Sequence, residues 1–540
     1  MPGAVKAASL FAALLGALLA AAYLPSLRGG YTNWDDPDYT HSSRMAGGAS
    51  AADALTSPAL GHYHPLTELS MRAEAVLLGE RAGVRRAVSF SLHLANAVLL
   101  FLFLSALGLA PPAAAAGALL WALHPAQAES AAWIAERKNL LYVFFYLSAM
   151  LAYLGRSGAG GRGAGAAVWA LFALSLLSKA PAVTLPLALL GLDWLKGRPL
   201  DRENAAEKGL MLALALCFAL LASAAQGQNG RLLPAGPAAL FSFYLGKALW
   251  PAGLSPLYPY AEALAELKGQ GAAALLPAGG FIAALLLLLK TGRRTAAFGL
   301  FFFAANMLPF SLIIPTGPAL AADRYLYLPL AGLALAAAAL GAEASRGKLS
   351  AAAVAASLLL AAGGEFIMTR RAAAAWAGSE PLWRAVLERY PSARTARLNL
   401  ASALLEKGPS EEAAGLLAGI LRDDPGDAAA LYNLGTLLAM GGDPLGEAML
   451  ARSARLDPSN HLAAHNLALI NLRAGRHGAA AALFGAALAA RPGYSPSLAG
   501  LAKARLGAGD CAGAREAWAA AAAAGGPGGA SFGEEIGACR

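Results

Sequence analysis

Tyr432–Asn460 reads YNLGTLLAMGGDPLGEAMLARSARLDPSN, and His465–Gly493 reads HNLALINLRAGRHGAAAALFGAALAARPG. Laid over one another, the two stretches put Asn433 on Asn466 and Gly442 on Gly475, and a one-residue shift brings Pro458 onto Pro492. The period runs outward from them. Pro391, Pro425, Pro458 and Pro492 recur at intervals of 34, 33 and 34 residues, and Gly408, Gly442, Gly475 and Gly509 keep the same intervals. Asn399, Asn433, Asn466 and Gly500 do so too. A unit of this length holds two antiparallel helices, with glycine at the inner turn and proline opening the next unit.

That is the tetratricopeptide pattern. A single hairpin cannot bury its apolar face, so the units stack and leave a concave groove. The sequence predicts a leading helix over Glu380–Arg389, about three full repeats within 372–524, and a Gly/Pro-rich tail over 525–540. A groove of this kind suits an extended polypeptide, and it suits a dimerising or purely structural stack as well.

Upstream the composition changes. The whole chain is 57% hydrophobic and 14% charged, with mean hydropathy +0.51, whereas soluble domains carry about 25% charge. Residues 372–540 hold 15 Lys+Arg and 15 Asp+Glu, so the net charge of +9 belongs to residues 1–371. There the basic groups punctuate apolar runs, as membrane topology requires, and no interleaving of basic and aromatic residues points to nucleic acid. Eleven spans are predicted: Ala7–Leu24, Ala87–Leu109, Ala113–Leu123 continuing toward Ile134, Leu140–Leu154, Ala164–Leu177, Val183–Trp194, Leu210–Ala225, Ala272–Leu289, Ala296–Ile314, Leu326–Leu340 and Ala351–Ile367. Phe241–Pro251 reads as an interfacial helix, a re-entrant piece or a twelfth span. The first run lacks a clear small-x-small site and reads as a retained helix rather than a cleaved leader.

An inside N-terminus places Arg156, Arg162, Lys196 to Lys208, Lys290 to Arg294 and Arg346 to Lys348 in the cytoplasm. The loop 28–86 and everything after Ile367 then lie outside, with Arg370 and Arg371 against the rule. Cys217 falls in an apolar run, and Cys511 and Cys539 are the pair that could meet outside the membrane.

Polar residues beside apolar spans are the informative ones. YTNWDDPDY sets Asp35, Asp36 and Asp38 just beyond the first span, where a carboxylate could serve as a base to an acceptor hydroxyl within about 3 Å. Asp-Pro and Asn also make ordinary solvated turns. GHYHPLTELS adds His62, His64 and Glu68. LHPAQAESAAWIAERKNLL gathers His124, Gln127, Glu129, Glu136, Arg137, Lys138 and Asn139 between two spans. An Arg-Lys pair at the outer boundary suits a lipid phosphate. Lys179 and the Asp323-Arg324-Tyr325 cluster fall at the same level, and helix-anchoring snorkelling is the competing account for the cations.

YTNWDDPDY, HYHPLTELS, FSLHLANAVLLFLF, LLWALHPAQAESAAWIAERKNLL, LLSKAPAVTLPLALLGLDW, KALWPAGLSPLYPY and AADRYLYLPLAGL occur in one order across residues 5–367, with the repeats behind them. Together they resemble the tetratricopeptide-containing membrane O-mannosyltransferases and their bacterial relatives, within the C-type glycosyltransferase superfamily. The resemblance implies an all-α fold, a polytopic membrane bundle over 1–371 followed by an α-solenoid, in a bacterial inner membrane with the repeats periplasmic. It implies transfer of mannose or another hexose from a polyprenyl-phosphate donor, with membrane lipid around it, to a hydroxyl of an acceptor polypeptide. Asp35 takes the place of the base, Asp36 supports it, and Glu129 matches the second acidic loop. Arg137, Lys138, Lys179 and Arg324 are the donor-phosphate candidates, and His64, His124, Asp323 and Tyr325 are further site candidates. Two carboxylates leave room for a divalent cation, Mg or Mn, without establishing one. A single base with direct attack implies inversion at the anomeric carbon. The alternatives are an inactive membrane-anchored repeat scaffold, transfer to a lipid or glycan, and a transporter, which would place its charges at mid-span.

Overall fold

The computed structural model describes residues 2–40, 53–54, 63–156, 161–226, 236–312 and 319–525. Its chain forms two compact units, Met1–Ala393 and Arg394–Arg540. His62, Cys539, the tail beyond Gly525 and most of the middle of the first loop lie outside the described residues.

Among the described residues of the first unit the regular structure is helical apart from one short ribbon, and each of the eleven apolar segments contains a helix. Ala82–Ala106, Ile134–Gly155, Arg202–Ala224, Gly271–Lys290 and Ser350–Ala375 are long and apolar enough to cross a membrane, by length and composition. Others are shorter, such as Pro111–Leu123 and Leu330–Ala344. Large apolar side chains stand exposed along three of the long helices, among them Leu216, Leu220, Ile282, Leu286, Leu359 and Leu360.

Two local departures from the expected spans build the site. The third run does not continue toward Ile134; it stops at Leu123, before His124 and Pro125. A proline there has no amide proton to donate, and the residue before it is pushed to extended backbone, as His124 is at ψ 128°. The chain then folds into the short Gln127–Ala132 helix, which carries Glu129. Likewise the Leu326 run opens not as a span but as the 3₁₀ turn Asp323–Leu326, with the helix beginning at Leu330. The turn is anchored by an antiparallel ribbon in which Tyr258 pairs with Ala321 and Pro259 with Ala319. The ambiguous segment is a 13-residue helix, Pro237–Leu249, about 20 Å long and too short to cross unaided.

The leading helix, Ser379–Arg389, belongs to the first unit. Trp383 Nε1 donates to Asn33 Oδ1 at 2.6 Å, and the Arg389 guanidinium lies 2.7 Å from Glu266.

In the second unit the described residues form four helix hairpins where the sequence reading counted about three. They are Arg394–Leu405 with Glu411–Asp423, Ala428–Met440 with Pro444–Leu456, His461–Arg473 with His477–Ala490, and Ser495–Gly507 with Cys511–Ala523. The fourth is easily missed because its sequence is mostly alanine and glycine. Gly442, Gly475 and Gly509 at the inner turns have φ of 78°, 70° and 81°, a region glycine enters without steric cost. Ser410, Asp427, Asp443, Asn460 and Asp510 cap the following helices with side-chain oxygens, each cap worth about 1 kcal/mol. Gly500 breaks the asparagine series because a Cβ there would stand 2.3 Å from the Phe484 ring. Phe484 is fully buried among Ala468, Ala480 and Ala504, and truncating it to alanine costs about 3–5 kcal/mol.

Candidate active site

The site begins with the turn after the first helix. Asp35 precedes the short Asp36–Thr40 helix, and its backbone carbonyl accepts from Asp38 and Tyr39. The two neighbouring carboxylates have different lives. Asp36 is fully buried and accepts from the Thr32 amide and hydroxyl at 2.9 Å each and from the Ala135 amide at 3.2 Å. It ties the first loop to the second. Asp35 is half-buried, and among the described residues its carboxylate accepts no hydrogen bond and makes no ion pair. Burial raises its pKa, and the fields of Lys138 and Arg324 pull it part of the way back.

Around Asp35 the structure assembles a charge network from four segments. Glu136 is its hub. Lys138 Nζ lies 3.2 Å from Oε1, Arg324 Nε 3.4 Å from the same oxygen, and Lys179 Nζ 2.9 Å from Oε2. Arg324 also pairs with Glu129, whose Oε2 accepts the Arg324 amide at 2.8 Å. Three cations thus face two glutamates, leaving one positive charge in excess beside Asp35. Burial raises the pKa of Glu129 against the pull of Arg324, and burial lowers that of Lys179 to about 8.

The remaining candidates divide. His64 Nε2 lies 2.9 Å from the Tyr39 hydroxyl, which in turn lies 3.3 Å from Lys138 Nζ, so His64 joins the network at its edge. Asp323 accepts from the Tyr258 hydroxyl at 2.7 Å, and burial pushes its pKa up to about 8. It anchors the 3₁₀ turn to the ribbon. Tyr325 stacks on Phe310 at 4.3 Å and lies under the Arg324 guanidinium at 5.1 Å. His124 is held between the Ala248 carbonyl and the Ala126 amide, and burial lowers it to about 4, so it is neutral and structural. Arg137 does not face this network. Its guanidinium lies 2.6 Å from Glu74 and donates to the Arg85 carbonyl at 3.0 Å.

A wall of indoles flanks the acidic turn. Trp34 lies 4.8 Å from Trp133, 6.2 Å from Trp376 and 5.2 Å from Trp383, ring centre to ring centre, and Arg324 sits 5.5 Å over Trp133. Apart from Trp34 these rings are fully buried. They fix the loop that carries Asp35.

A Mg or Mn ion does not fit this donor set. The oxygens of Glu129 and Glu136 face Arg324, Lys138 and Lys179, Asp36 is occupied by backbone and hydroxyl donors, and Asp35 is a single carboxylate beside two cations. Among the described residues no group of three His, Cys, Asp or Glu side chains converges as a metal site would require.

Sequence reasoning placed Asp35, Glu129, Lys138, Lys179 and Arg324 at one level, but it gave Glu136 no role. The signal was present in the ERKN run, in which an acid next to two bases at a membrane boundary needs partners.

Comparison with known proteins bears on the repeats. Residues 368–428, 406–461 and 444–495 match the tetratricopeptide repeat family. This chain carries tetratricopeptide repeats. No curated protein matches it. Among solved structures, the crystal structure of MamA is 22% identical, with TM-score 0.25 over 26% of this chain and 84% of that one. The crystal structure of yeast Tom70 is 14% identical, with TM-score 0.24 over 76% of this chain and 88% of that one. Likenesses at those TM-scores say nothing about the first unit.

Proposed function

We propose that this chain is a membrane glycosyltransferase of the C-type kind, moving a hexose from a polyprenyl-phosphate carrier to a hydroxyl on the non-cytoplasmic face. The acceptor in this reading is Ser or Thr of a polypeptide recruited by the tetratricopeptide repeats, which generally mediate protein–protein interaction. One observation carries it: the Asp35 carboxylate, which accepts no hydrogen bond among the described residues and whose pKa is raised by burial, stands beside a network with one cation in excess. The exposed leucines of the long apolar helices support the membrane setting.

The chemistry needs no nucleotide. The acceptor oxygen attacks the anomeric carbon while Asp35 takes its proton. The bond from that carbon to the phosphate oxygen breaks, and the carrier leaves as a phosphate monoester. Lys138, Lys179 and Arg324 stabilise the charge gathering on that leaving group. Glu129 and Glu136 hold these cations in place beforehand, so little reorganisation is needed at the transition state.

A scaffold without activity is the second reading. It is favoured by the pairing of every cation in the network with a glutamate and by the repeats themselves. The two readings part on one substitution. With a radiolabelled polyprenyl-phosphate hexose and external polypeptides as acceptors, Asp35→Asn should abolish transfer while the protein remains folded. Transfer by Asp35→Asn at the native rate, or none by the native protein, sinks the enzymatic reading.

A further inference from the structure

A second polar assembly lies at the far end of the Arg137–Gly155 helix. Its 19 residues span about 28 Å, close to the thickness of a bilayer core. There the Tyr153 hydroxyl donates to the Asp193 carboxylate at 2.7 Å. Lys208 Nζ lies 3.7 Å from Asp193 and 3.1 Å from Glu207, and Arg156 reaches Glu207 at 2.5 Å. Both carboxylates of this end therefore have cations of their own.

Beside the assembly is an open-sided cavity of about 530 Å³, lined by Ala106, Leu151, Leu154, Gly155, Lys196 and Arg198. Two cations and no acid line it. The Arg198 guanidinium lies 5.0 Å from the centre of the Tyr153 ring and 3.6 Å from Asp193. Lys196 reaches only the Ala106 carbonyl, at 3.5 Å, among its described partners. The walls between are aliphatic. Trp194, 41% exposed, and Leu200, 65% exposed, flank the cavity in sequence, and an exposed indole beside cations is the usual mark of a membrane interface.

Cations and aliphatic side chains lining one cavity at the end of a span-length helix are what a phosphodiester with acyl chains requires. We infer that this cavity binds the headgroup of an anionic phospholipid, the phosphate meeting Lys196 and Arg198 and the first methylenes lying against Leu151 and Leu154. Soluble phosphate would find the same cations but would gain nothing from the leucines. The lipid would bridge three helices, those ending at Ala106, Gly155 and Lys196. The inference rests on the membrane setting proposed above and is independent of sugar transfer.

The test uses the full chain extracted in detergent, with native mass spectrometry of bound phosphatidylglycerol against phosphatidylcholine. The native protein should retain phosphatidylglycerol selectively. Lys196→Gln with Arg198→Gln should lower that retention about tenfold or more. Leu154→Trp, which fills the cavity and leaves both charges, should lower it as well. Asp193 keeps Lys208 in the double variant, and a monodisperse sizing profile verifies folding. Undiminished retention in both variants, or equal retention of phosphatidylcholine, overturns the inference. Competition by glycerol 3-phosphate at the concentration of the lipid overturns the lipid assignment in favour of a soluble phosphate. Recovery of the chain from cells without detergent would instead sink the membrane setting, a separate failure visible at the extraction step.

Discussion

Lys179 reaches Glu136 across 43 residues of sequence, with its ammonium 2.9 Å from Oε2. The contact joins the turn before one helix to the start of another, and Lys138 and Arg324 converge on the same carboxylate. Removing this one acid should strand Lys138 and Lys179, whereas Arg324 keeps Glu129. Glu136→Gln should destabilise the first unit by about 3 kcal/mol or more, read as a lower midpoint of thermal unfolding in detergent. An unchanged midpoint would mean that the network is hydrated and loose.

Arg137 and Lys179 should separate in kinetics. Lys179→Gln removes one of the three cations of the network proposed to meet the donor phosphate, so the KM for the polyprenyl-phosphate donor should rise about tenfold or more. Arg137→Gln strips Glu74 of its partner at 2.6 Å and should cost stability, leaving the donor KM of the surviving folded protein near native. Equal KM effects for the two would place the donor elsewhere.

Asp35 must be deprotonated to act as a base, and its pKa is raised. The acid limb of the pH–rate profile should therefore lie above the ordinary carboxylate range, with transfer increasing as pH rises through it. Weakening the restraining field by Arg324→Gln should move the limb further up. A limb at the ordinary carboxylate position would exclude Asp35 as the titrating group.

Asp323 binds its proton in the folded state up to about pH 8, whereas the unfolded group releases it near 3.8. Between those values the folded chain holds more protons than the unfolded one, so stability should fall as pH rises across that window and level off above it. Asp323→Asn keeps an oxygen to accept from Tyr258 and should flatten this part of the profile. Unfolding midpoints of both proteins at pH 5 and pH 8.5 would measure the difference, and parallel profiles would assign the pH dependence to another group.

Much of the site was legible as a list and little of it as a contact map. The acidic turn, the second acidic loop, Lys179 and Arg324 stand out because charges beside apolar runs are costly unless used. Arg137 and Lys138 read alike, being neighbours with like charge. At the start of a helix, successive side chains diverge by about 100°, so Arg137 turns to Glu74 while Lys138 turns to Glu136. Asp35 and Asp36 likewise read as a pair, and only the position of Thr32 and the Ala135 amide shows that one is structural and the other open.

Local sequence suffices for the helical hairpins of the repeats and for the apolar helices before them. Those depend on glycine at left-handed turns, on capping side chains and on runs of leucine and alanine, all interactions within a few residues. The tertiary structure alone decided which charges meet. An ion pair between residues 43 or 195 positions apart follows from how helices pack and where a proline stops one of them, and no local pattern encodes that geometry.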